Sequence, residues 1–133
     1  MPASGRRLPS ASKNAREGLD PMKTYCFVLD LKDDPDLIAE YRRYHQIENV
    51  PAGVLACIRG DGIVSEEIYL AGNRMVMILK TEDNFSLEAK KAADANNPEM
   101  QRWEELMWKY QKQLPFGRQG EKWILAEKIF EVR

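Results

Sequence analysis

The chain acquires a pattern at Met22. From there "TYCFVLDL" sets Tyr25, Phe27, Leu29 and Leu31 against Cys26, Val28 and Asp30, the period of two expected of a strand with both faces at least partly covered. The "DDP" that follows stops it. Asp33 or Asp34 can cap a helix that Pro35 opens, because proline in the first turn gives up an N–H that the helix leaves unbonded anyway. Leu37, Ile38, Tyr41 and then Tyr44 or His45 recur at helical spacing. Pro51 breaks or kinks this helix, and "GVLACIRGDG" resumes an apolar helical pattern that Gly60 or Gly62 can end.

Two strand-like runs come next, "IVSEEIYL" and "RMVMILKT", joined by "AGN", so they predict an antiparallel hairpin. "NFSLEAKKAADANN" and "PEMQRWEELMWKYQKQL" are helical, with Asn84 or Ser86 able to cap the first and Pro98 able to open the second. The last run, "KWILAEKIFEV", returns to strand character. The order strand, helix, strand, strand, helix, strand predicts an α+β protein of the ferredoxin-like βαββαβ type, four antiparallel strands with two helices over one face. Apolar residues on both strand faces call for a cover on the other side, and a second copy packed sheet against sheet supplies one. A homodimer with one pocket per subunit is therefore expected.

At 133 residues the chain suffices for one compact domain. Residues 1–22, rich in Ser, Ala, Arg and Pro and without apolar periodicity, are expected to form a disordered tail, leaving a single domain at 23–133. Lys and Arg number 20 against 21 Asp and Glu, a balance that asks for no nucleic-acid partner. The longest apolar runs are strand-sized, far below the roughly 20 residues that cross a bilayer, so no membrane partner is expected. Cys26 and Cys57 lie far apart and form no metal-ligand pattern with the one histidine. They are expected to be buried free thiols, which with the lack of a signal peptide favours a reducing cytoplasm.

Three stretches carry candidate chemistry. In "AEYRRYH" the spacing of four puts Tyr41 and His45 on one helix face, a phenol beside an imidazole able to exchange protons near neutral pH. A lone histidine on a charged helix is more often an exposed or capping residue, and spacing alone does not lift it above that. In "EMQRWEELMWKY", Trp103, Met107 and Tyr110 share a face; such a stripe is usually core, yet Trp103 beside Glu104 offers a flat apolar ring and a carboxylate, the pair a sugar pocket needs. In "SEEIYL", alternation sends Glu66, Ile68 and Leu70 to one side and Glu67 and Tyr69 to the other, so one glutamate should face inward. No glycine-rich phosphate loop, Ser-His-Asp grouping or metal-ligand spacing is present.

The "YCFVLDL" strand, the "EYRRYH" helix, the "IYLAGNRMVMILKTED" hairpin, the "QRWEELMWKY" helix and the closing "EKIFEV" together resemble the L-rhamnose mutarotase family, which includes bacterial L-fucose mutarotases, over roughly Thr24 to Val132. The resemblance implies a dimeric α/β barrel of ferredoxin-like subunits that interconverts the anomers of a 6-deoxy-L-sugar without cofactor or metal. It implies that His45 is the proton-donating catalytic residue and that Tyr41 and Trp103 bind the sugar. The chain departs from rhamnose-acting members at Glu104, where they resemble a second tryptophan, at Glu66, where they carry tyrosine, and at Val50-Pro51, where they show Trp-Pro. Glu66 and Glu104 add hydrogen-bond acceptors to the expected pocket, and Glu66 or a tyrosine hydroxyl is the expected partner of His45 in acid–base chemistry. These changes favour L-fucose over L-rhamnose. The same architecture also hosts cofactor-independent monooxygenases, and a non-catalytic sugar-binding module is the further alternative.

Overall fold

The computed structural model describes residues 22–60 and 62–133. The expected tail, save Met22, and Asp61 of the "GDG" turn lie outside the described residues. Met22 itself opens β1 (Met22–Leu31), so the patterned chain starts one residue before the expected domain boundary. Strand β1 runs antiparallel to β3 (Arg74–Glu82), from Met22 opposite Glu82 to Asp30 opposite Arg74, and β3 pairs in turn with β2 (Ile63–Ala71). Gly72, at φ 63°, makes the tight turn of the β2–β3 hairpin, a left-handed conformation in which a Cβ is strained. The turn is stitched to the end of β1: Asn73 Nδ2 donates to the Leu31 carbonyl at 2.9 Å, and the Leu31 N–H donates to the Asn73 carbonyl at 2.7 Å.

The other edge of β1 carries two short strands, β4 (Gln111–Lys112) and β5 (Ile124–Leu125). The resulting order, β2-β3-β1-β4 with β5 beside β1, is that of the predicted ferredoxin-like α+β fold. Helix α1 (Pro35–Tyr44) is capped by Asp34, whose carboxylate accepts from Asp36 N at 2.9 Å and Leu37 N at 3.1 Å. A single 3-10 turn (Ile47–Asn49) and Pro51 separate it from α2 (Ala52–Arg59). Ser86 caps α3 (Leu87–Ala95), and Asn97 caps α4 (Pro98–Trp108).

Two expectations give way. The fourth helix stops at Trp108 instead of running to Leu114, because the free edge of β1 claims the backbone beyond it: Lys32 N donates to Tyr110 O at 2.8 Å, and Gln111 pairs with Leu31. The closing strand is reduced to Ile124 and Leu125. After Ala126 N donates to Cys26 O at 2.7 Å the chain leaves the sheet, and Ile129, Phe130 and Val132 stand 80–88% exposed.

Leu29, Leu31 and Met75 of the sheet pack against Tyr41 of α1 and Met107 of α4, with Tyr110 just beyond it. A second cluster joins Phe27, Leu79 and Phe85, and Trp123 touches both. Leu29 is wholly inaccessible to solvent, so Leu29→Ala should cost about 2–5 kcal/mol in urea unfolding. Removal of the exposed cap in Asp34→Ala should cost only about 1 kcal/mol. A Leu29→Ala loss no larger than that of Asp34→Ala would contradict this placement of the core.

Candidate active site

Where the two clusters meet, the space between sheet and helices is hollow. The cavity is about 370 Å³, and Tyr41, His45, Glu66, Trp103 and Glu104 all line it, so α1, β2 and α4 bring the sequence-predicted residues to one place. A second hollow of about 510 Å³ adjoins it across a wall that includes His45, Glu66 and Trp103. Other candidates separate from the site. Tyr44 faces an outer cleft with Glu40 and Asn49. Tyr110 is core, its hydroxyl donating to Glu40 Oε1 at 2.7 Å. Glu67, on the opposite sheet face, accepts from Tyr69 OH at 3.0 Å.

His45 is the C-terminal cap of α1, where the helix leaves carbonyls unpaired. Its Nδ1 lies 2.9 Å from the Tyr41 carbonyl. A carbonyl only accepts, so Nδ1 carries the proton and Nε2 keeps its lone pair in the neutral ring. The ring stacks on Tyr41, with centroids 4.2 Å apart, and leans toward Trp103 at 5.5 Å. Burial lowers the His45 pKa from its ordinary 6.5, and the bond to the Tyr41 carbonyl offsets only part of that. Burial also lifts the Tyr41 phenol to about 12, with the charges of Glu104 and Glu66 adding to the rise, so it remains an O–H donor throughout the physiological range.

Glu66 is exposed by area because it borders a hollow rather than solid protein. Enough of the chain surrounds its carboxyl for desolvation to raise its pKa, against the pull of Lys90 and with the help of Asp94 and Glu104. Glu104 is held by Lys122, whose Nζ donates to its Oε1 at 2.6 Å and to its carbonyl at 2.8 Å while sitting 5.0 Å over the Trp108 ring. Burial lowers the Lys122 pKa, and Glu104 counteracts it.

Sequence reasoning did not single out Lys122 or Gln111, both of which line the cavity. Gln111 lay inside a run read as helix, and no local pattern pairs Lys122 with Glu104 across 18 residues. Among the described residues, no group of three or more His, Cys, Asp or Glu is placed to hold a metal ion, and no helix is long and apolar enough to cross a membrane.

The family model described as L-rhamnose mutarotase matches residues 24–132. The chain belongs to the L-rhamnose mutarotase family. Within it, an L-fucose mutarotase from Xanthomonas campestris pv. campestris is 44% identical over 111 residues, covering 84% of this chain and 89% of that protein. The crystal structure of an L-rhamnose mutarotase from Formosa agariphila superposes with a TM-score of 0.60 over 84% of this chain and 99% of that one; at 15% identity it speaks for the fold alone. Membership makes the chain a sugar mutarotase, an isomerase acting on carbohydrate, in place of the monooxygenase and non-catalytic alternatives.

Because this mutarotase has one histidine, its imidazole can be followed by NMR without ambiguity. The midpoint should fall below 6.5, with the Nδ1–H tautomer on the basic side. A midpoint at or above 6.5 would mean that desolvation does not govern the ring.

Proposed function

We propose that the chain interconverts the α and β anomers of a 6-deoxy-L-hexose, L-fucose in preference to L-rhamnose, by cofactor-free acid–base opening of the ring. The observation that carries this reading is that His45 and Glu66 line one sugar-sized cavity, with burial moving their pKa values in opposite directions. Burial thereby favours the neutral imidazole, an acceptor, and the protonated carboxyl, a donor. In ring opening His45 Nε2 takes the proton of the anomeric hydroxyl, the reverse of the donating role that the resemblance implies, because Nδ1 already holds the ring proton; the bond from C1 to the ring oxygen breaks as the Glu66 carboxyl protonates that oxygen. The free aldehyde turns about its C1–C2 bond. On closure the hydroxyl attacks the other face of C1, Glu66 recovers its proton from it, and the imidazolium returns its own to the carbonyl oxygen. Tyr41 supplies a permanent donor, Trp103 a flat wall for sugar C–H groups, and Glu104, held by Lys122, an acceptor.

The preference for L-fucose draws support from the acceptors at Glu66 and Glu104 and from the relative named for that sugar. A homodimer is part of the proposal. The sheet face away from the helices carries half-buried Cys26, Val28, Val76 and Ile78, and the terminal arm presents Ile129, Phe130 and Val132. The free thiols Cys26 and Cys57 fit a reducing cytoplasm as the compartment.

Saturation-transfer NMR should show faster anomer exchange of L-fucose than of L-rhamnose. His45→Ala should stay folded and slow that exchange by about 10²-fold or more. Near-wild-type exchange would remove His45 from the mechanism. With pH, the rate should fall on both sides of a maximum, because the neutral imidazole and the protonated Glu66 carboxyl are needed together. His45→Ala and Glu66→Gln should each erase one limb; a wild-type profile flat from about pH 5 to 8 would refute the pair. Light scattering should give a dimer for the full chain and a monomer once residues 127–133 are deleted, while a dimer unaffected by that deletion would free the arm of this role.

A further inference from the structure

Gln111 carries a buried acceptor with nothing bonded to it. The residue is 4% exposed, and its backbone is fixed in β4 opposite Leu31. Residues directly paired across strands point to the same sheet face, so Gln111 shares the side on which Leu31 meets the core and lines the cavity there. Its Nε2 donates to Tyr41 Oη at 3.2 Å, whereas its Oε1 is buried without a partner. Of the lysines lining the same cavity, Lys122 is engaged by Glu104 and Lys90 by Asp94 and the Cys57 carbonyl. Oε1 is itself closed to solvent, so this unmet acceptor meets a ligand when the amide turns toward the cavity that Gln111 lines.

We propose that Gln111 is a specificity-determining residue of the sugar site: its Oε1 accepts a hydrogen bond from one ring hydroxyl, while its Nε2, by occupying Tyr41 Oη, turns the Tyr41 proton toward a neighbouring sugar oxygen. The amide and the phenol then form an acceptor beside a donor, a pair that reads the directions of two adjacent hydroxyls. L-Fucose and L-rhamnose differ in those directions. The inference rests on the sugar reading of the cavity, and it assigns to β4 a role that neither acid–base group fills.

The test compares the wild-type protein with Gln111→Met, which keeps length and removes both polar atoms. Binding of L-fucose and of its analogues lacking the C2, C3 or C4 hydroxyl is measured by titration. Gln111→Met should weaken L-fucose by roughly tenfold or more. For one of the three analogues the loss should be clearly smaller, because the hydroxyl that Gln111 recognises directly is already missing and only the effect through Tyr41 remains. An equal loss for all four sugars, or no loss, would overturn the assignment. In ¹⁵N-labelled wild-type protein the Gln111 side-chain amide signal should move on adding L-fucose; a stationary signal overturns it even if Gln111→Met does not fold. Binding without accelerated exchange would sink the mutarotase reading and leave Gln111 to the same comparison. Failure of the wild type to bind any of these sugars would overturn both.

Discussion

The register of β1 against β3 is the constraint on which the rest depends. A slip of one residue would turn Phe27, Leu29 and Leu31 to the wrong face and remove the floor of both apolar clusters. Three features hold it at one end of the strand pair. Arg74 grips Asp30 through two bonds, at 2.8 and 3.1 Å, the Gly72–Asn73 turn is tied to Leu31, and Gln111 takes the far edge of the same residue. Arg74 is half exposed, so the ion pair contributes more to alignment than to stability.

From that frame the site follows by short steps. The last turn of α1 sets Tyr41 and His45 one above the other, and the carbonyl of the first fixes the tautomer of the second. The cavity does the electrostatic work. Partial desolvation disfavours charge on an imidazole and on a carboxyl alike, which drives one pKa down and the other up. A single physical cause thus separates two groups into opposite protonation preferences.

Much of this was legible before any coordinates, for local reasons. Proline at the start of α1 and α4, aspartate and serine caps, and a Gly-Asn turn are short-range signals, and each marks its element correctly. The pairing of Tyr41 with His45 follows from helical spacing alone. What failed was non-local. The end of α4 is dictated by the free edge of β1, some 80 residues earlier in the chain. "IFEV" has strand character yet joins no strand among the described residues. Gln111 looked like one more polar residue in a helix, because only burial reveals an unmet acceptor. The lowered pKa of His45 likewise depends on what surrounds the ring, where the presence of a glutamate nearby would have argued for the opposite direction.

Of the cavity residues proposed to read the sugar, Trp103, Glu104 and Gln111 fall within one short stretch of α4 and β4, whereas Tyr41 shares α1 with its cap His45, and Glu66 sits on β2. On the proposed reading, part of the recognition is therefore written apart from the proton transfer. Substitutions in the first part can accumulate while the second is left alone, and an intermediate form need never lose its chemistry to change its diet. A mutarotase built this way can change its sugar preference through functional intermediates.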